Sequence, residues 1–120
     1  MKDMKVLLVV VFLTNQAVAQ TSSNDLNLIV NSIYRIEGGD KTQYPFGIKS
    51  IKTNGNYEKA RKICINTVNN TYNRWLHAGK TNNFFDFLAD RYCPVADDKT
   101  GNFNWKRNIH SMLDKKIKIQ

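Results

Sequence analysis

Five apolar residues, Leu26, Ile29, Val30, Ile33 and Ile36, recur at intervals of three and four and then stop at Gly38-Gly39. That spacing lays them along one stripe of a helix from Asp25 to Ile36. Ser23 or Asn24 can cap its start, and the glycines, free to adopt the left-handed closing conformation, end it. The rest of the chain must cover this stripe. Glu37 is the residue held where the buried face meets the following loop. The last helical carbonyls direct their negative ends at it, which favours the protonated form. A free Glu ionises near pH 4.3, too low for an acid that works near neutrality, so such a push is what a proton-donating Glu needs.

After the stripe the period disappears. Asp40 to Asn56 contains Pro45, Gly47 and Gly55 and reads as a long irregular loop or a short β-hairpin, with Ile48 and Ile51 pointing inward. A second helix runs from Tyr57 to His77, its core face formed by Ala60, Ile63, Cys64, Thr67, Val68, Trp75 and Leu76, with Gly79 closing it. A third spans Asn83 to Tyr92 around Phe84, Phe87 and Leu88, and Pro94 blocks continuation. Val95 to Phe103 reads as a loop. A fourth helix, Asn104 to Ile117, is capped by Asn104 and places Trp105, Ile109, Met112 and Leu113 together. The fold class is mainly α.

Residues 1–19 have the form of a secretory signal: Lys2 and Lys5, an apolar run from Val6 to Leu13, and the small-x-small pattern Ala17-Val18-Ala19. The run is short of the ~20 apolar residues that span a bilayer. Cleavage after Ala19 leaves Gln20 to Gln120, 101 of the 120 residues, as one domain that is soluble, monomeric and secreted or periplasmic. The full chain carries +8; removing Lys2, Lys5 and Asp3 with the signal leaves +7. A basic secreted domain is drawn to anionic polymers, and in this compartment cell wall is a better partner than nucleic acid. Two cysteines outside the cell predict a Cys64–Cys93 disulfide. It would close a loop of roughly thirty residues and contribute ~3–4 kcal/mol. No cofactor is implied and no metal site, since the cysteines lack ligand spacing and His77 and His110 are scattered. Neither histidine has an evident partner in sequence.

The run Ile33-Tyr34-Arg35-Ile36-Glu37 followed by Gly47-Ile48-Lys49-Ser50, with Phe87-Leu88-Ala89-Asp90-Arg91-Tyr92 and Asn104-Trp105-Lys106-Arg107-Asn108 downstream, resembles the lysozyme-like fold of soluble lytic transglycosylases and goose-type lysozymes. The resemblance covers about Ile29 to Leu113. The chain departs from the family pattern at Gly38, where Ser usually follows the acid, at Lys49-Ser50, where Met-Gln is usual, and at Cys93, which follows Tyr92 in place of Asn. The resemblance implies cleavage of the β-1,4 bond between N-acetylmuramic acid and N-acetylglucosamine in peptidoglycan, with Glu37 as general acid and base. A single carboxyl suffices if a substrate hydroxyl closes the product ring, and no second acid is paired with Glu37 in the sequence; Asp40, the nearest, reads as a turn residue.

Tyr44 and Phe46 are candidate sugar-stacking residues or packing residues under the loop. Ser50, Tyr92 and Asn108 are candidate substrate contacts, each with an ordinary structural alternative: a turn hydroxyl, a core cover, a surface amide. Trp75 and Trp105 follow the core period. An inactive cationic wall-binding module of the same fold is the alternative to an enzyme, and a basic interaction protein with an unrelated helical fold comes third.

Overall fold

Among the described residues, four helices close into a ring in which each packs on the two beside it in sequence, and the last of them returns to the first. The computed structural model describes residues 22–50 and 52–118. The predicted signal segment and its cleavage site, and Ile51, lie outside the described residues. Helix α1 is Ser23–Ile36, α2 is Tyr57–His77, α3 is Phe84–Tyr92 and α4 is Lys99–Leu113. There is no strand among the described residues. The loop after α1 has two short 3₁₀ turns, Gly39–Lys41 and Pro45–Gly47, in place of a hairpin. None of the helices of the described residues is long and apolar enough to cross a membrane.

Each helix starts on a side-chain oxygen that accepts an otherwise orphaned backbone N–H. Ser22 caps α1 by accepting from Asp25 at 3.2 Å, and Asn56 caps α2 by accepting from Lys59 at 2.9 Å. Asn83 caps α3 and Asp98 caps α4, each at 2.8 Å. The fourth helix therefore begins five residues before the predicted Asn104, which lies inside it and caps nothing. A Cβ on Gly101 would run into the Asp98 side chain, so this glycine, inside the stretch expected to be a loop, is what lets Asp98 fold back over the helix start.

The predicted stripe is the centre of the core: Ile29, Val30 and Ile33 are fully buried, with Leu26 and Ile36 packed at its edge. From α2 come Ala60, Cys64, Val68 and Trp75; from α3, Phe84, Phe85, Leu88 and Ala89; from α4, Trp105, Ile109 and Leu113. Trp75, Tyr72 and Phe84 pack ring to ring at 5.4–5.7 Å and join α2 to α3. Across α3 and α4, His110 presents Nε2 to Asp86 and Nδ1 to Asp114, both at 2.8 Å. Desolvation alone would lower the His110 pKa; the two carboxylates outweigh it and hold the group above its ordinary value. The sequence reading had found no partner for this histidine.

The predicted disulfide is absent: Cys64 and Cys93 are free thiols. The reason lies in side-chain direction at the end of α3. Tyr92, not Cys93, faces α2, and its hydroxyl donates to Cys64 Sγ at 3.3 Å. Cys93 leaves the helix with φ −145° and turns its sulfur to the start of α4, against Asp98 and Gly101. Burial pushes the Cys64 thiol up to about 11, so it is a packed, unreactive group.

Candidate active site around Glu37

Glu37 is the closing residue of α1. Its N–H donates to the Ile33 carbonyl at 2.9 Å, and Gly38 then turns the chain away with φ +114°. The side chain is half-buried and is held from two sides. From α4, the indole N–H of Trp105 donates to Oε2 at 2.8 Å, linking residues 68 apart in sequence. From the loop, Gly47 lies directly against the carboxyl: a Cβ built there would sit 2.6 Å from Oε1 and 3.0 Å from Cδ. Gly47 also has φ +71°, which glycine alone takes freely. The loop can therefore press on the acid only because position 47 has no side chain.

Both supports are themselves anchored. Trp105 is 5% exposed, and Tyr92 stacks on its ring at 5.3 Å with an interplanar angle of 14°. Burial first, then the neighbouring Cys64 and the Glu37 charge, raise the Tyr92 hydroxyl far above its ordinary value, so it remains a neutral donor. The turn carrying Gly47 is fixed by Phe46, whose ring packs on Tyr34 of α1 at 5.1 Å and on Tyr57 of α2 at 5.4 Å. Phe46 takes φ +59° to do so, a left-handed conformation that costs a non-glycine residue energy and that the three-ring cluster holds in place. Tyr34 also donates its hydroxyl to Asp40, closing the first 3₁₀ turn back on α1; that hydrogen bond raises the Tyr34 pKa.

Past Gly47 the same loop walls a cleft of about 380 Å³ lined by Gln43, Tyr44, Lys49, Ser50, Asn54 and Gly55. The Lys49 ammonium lies 5.7 Å from the centre of the Tyr44 ring. All the polar side chains here are neutral or cationic.

The sequence candidates separate into distinct environments. Glu37 is joined to Tyr92 through Trp105. Tyr44, 37% exposed, and Ser50 share the loop cleft, where the Ser50 hydroxyl accepts the Lys52 N–H at 3.0 Å as a turn residue does. Phe46 is 1% exposed and has no ring face open to a sugar; it is the packing residue under the loop. Asn108 is exposed on α4. Sequence reasoning assigned Trp105 to the core alone and did not find its contact with the acid. The available signal is chemical: a buried indole carries an N–H that must find an acceptor. Lys49, Gln43 and Asn54 carried no signal before the loop folded.

Comparison of the chain with protein-family models, with curated proteins and with solved structures gave no match.

Proposed function

We propose that the protein cleaves the β-1,4 bond between N-acetylmuramic acid and N-acetylglucosamine in peptidoglycan, outside the cytoplasm, with Glu37 as the single acid and base. The observation that carries the reading is the placement of Glu37: a half-buried carboxyl at a helix end, one oxygen held by an indole N–H and the other facing Gly47 of the following loop. Fixed position is what general acid catalysis needs.

In this reading Glu37 gives its proton to the oxygen bridging the two sugars as the bond from that oxygen to muramoyl C1 breaks. The carboxylate then takes a proton from whichever oxygen adds to C1. If that is water, the product is a reducing end; if it is the muramoyl 6-hydroxyl, the product is a 1,6-anhydro ring. Either way Glu37 ends protonated and the cycle closes. Tyr44, Lys49 and Ser50 would line the approach of the glycan strand.

Glu37→Gln tests this because it keeps shape and removes the transferable proton. Parent protein should clear purified peptidoglycan and Glu37→Gln should be slower by about 10²–10⁴-fold, the range of general acid catalysis. Mass spectrometry of the released muropeptides distinguishes anhydro from reducing ends. Equal clearance by both proteins removes Glu37 from the chemistry. Sedimentation of both with walls, with no clearance by either, assigns the chain as a cationic wall-binding module.

A further inference from the structure

Trp105 and Tyr92 touch the proposed site without lying in the loop cleft, and together they divide the work of the Glu37 carboxyl between its two oxygens. Resting on the reading of Glu37 as the acid, we infer that Trp105 is a positioning residue that reserves Oε2 as an acceptor and makes Oε1 the oxygen that carries the proton. Tyr92 acts through Trp105 and not on the sugar.

An indole nitrogen can only donate. With its N–H 2.8 Å from Oε2, a proton on that oxygen would face another donor, so in the protonated state the hydrogen sits on Oε1. When Oε1 releases it, the charge spreads over both oxygens and the N–H···Oε2 bond becomes a charge-assisted one, about twice as strong as its neutral counterpart. The indole therefore helps most after the proton has begun to leave, which is the condition for accelerating a step instead of merely tightening binding. The donor is placed beforehand: Trp105 is 5% exposed, its ring is clamped by the Tyr92 ring lying nearly parallel to it, and the Tyr92 hydroxyl is tied to Cys64 Sγ at 3.3 Å. A run of three contacts thus leads from a fully buried thiol on α2, through the end of α3, to α4 and the acid at the end of α1. That placement gives the unbridged Cys64 its use as an acceptor that a disulfide would remove, and it leaves Tyr92 with its hydroxyl turned to the interior, away from a substrate.

The contact is tested first without turnover. The chain has two tryptophans, and the Trp75 indole N–H is bonded to the Asn82 carbonyl at 2.6 Å, an internal control. In proton–nitrogen NMR spectra, Glu37→Gln should move the Trp105 indole N–H resonance and leave that of Trp75 in place; two unmoved resonances overturn the inference. The kinetic test uses Trp105→Phe, which keeps an aromatic ring for Tyr92 and removes the N–H. Its kcat on soluble glycan fragments should fall about 10–100-fold with KM unchanged, the scale of a hydrogen bond to a charged group. In the Glu37→Gln background the same change should have no further effect. An active parent with Trp105→Phe at the same kcat, or with only KM raised, overturns this inference and leaves the proposed reaction standing. A parent that leaves walls intact overturns both.

Discussion

Gly47→Ala is the sharpest perturbation the structure offers, because two separable costs meet at one atom. The first is backbone strain: at φ +71° a residue with a Cβ is disfavoured by roughly 1–2 kcal/mol. The second is the clash with Glu37, whose Oε1 would lie 2.6 Å from the new methyl carbon. The cheap escape is for the carboxyl to rotate away, since it ends a flexible side chain. That rotation breaks the bond to Trp105 and leaves a buried indole N–H unpartnered, at about 1–3 kcal/mol. Gly79→Ala separates the terms. Gly79 closes α2 with φ +82°, and a Cβ there would meet only the Thr81 methyl at 4.0 Å, so it has the strain without the clash. Gly47→Ala should therefore be less stable than Gly79→Ala by about 1–3 kcal/mol. For a domain of this size each 1 kcal/mol is about 4–8 °C in melting temperature. In a Glu37→Ala background the excess should vanish, because the atoms that clash are gone. Thermal melts of the three single variants and of each glycine variant combined with Glu37→Ala measure this as a double-mutant cycle. Equal losses for Gly47→Ala and Gly79→Ala, or an excess that survives without Glu37, would show that the loop does not rest on the carboxyl.

Three further outcomes follow from other parts of the molecule. Since no disulfide links Cys64 to Cys93, excess reductant should leave the melting temperature of the purified protein unchanged, and a thiol reagent should count two free thiols after unfolding; a fall in melting temperature with reductant refutes the free-thiol assignment. His110 has a raised pKa in the fold, so its contribution to stability is complete below the unfolded value of about 6.5 and is lost as pH rises through the folded value. Melts of the parent from about pH 5 to pH 9 should lose stability across that window relative to His110→Gln; parallel curves would refute the pairing with Asp86 and Asp114. Asp98→Ala removes the cap of α4 and should cost about 0.5–2 kcal/mol in denaturant unfolding, whereas Asn104→Ala, inside the helix, should cost less than the cap.

What could be read from sequence followed the local rules. The end of the second helix is legible because Gly79 closes it, and the end of the first because its stripe stops at a Gly pair; the start of the first lies two residues before the expected Asp25, with Ser22 as the cap in place of Ser23 or Asn24. The start of α4 was misplaced because Val95 to Phe103 reads as a loop, while Asp98 and Gly101 within it are a cap and the clearance that cap needs. The disulfide was inferred from the number of cysteines, and number contains no direction: at the end of α3 one residue decides which side chain faces α2, and that residue is Tyr92. Phe46 could not be assigned between sugar contact and packing until its left-handed backbone placed the ring between Tyr34 and Tyr57. Trp105 shows the limit most clearly. Periodicity identified its face as buried but could not say that the polar atom on a buried ring would meet a carboxylate 68 residues earlier.

That long-range contact makes the acid a product of the whole helical ring and not of its own helix. The end of α1 supplies the position of Glu37, the three-ring cluster on α1 and α2 supplies the loop that presses on one oxygen, and the junction of α2, α3 and α4 supplies the indole on the other. Loosening any of these frees the carboxyl to leave its fixed position between Trp105 and Gly47. Substitutions far from the carboxyl, such as Phe46→Ala beneath the loop or Tyr92→Leu beside the indole, should therefore lower activity by more than their effect on the folded population can explain. A domain this small has no spare layer behind its site, so the residues that build the core and those that hold the acid are largely the same.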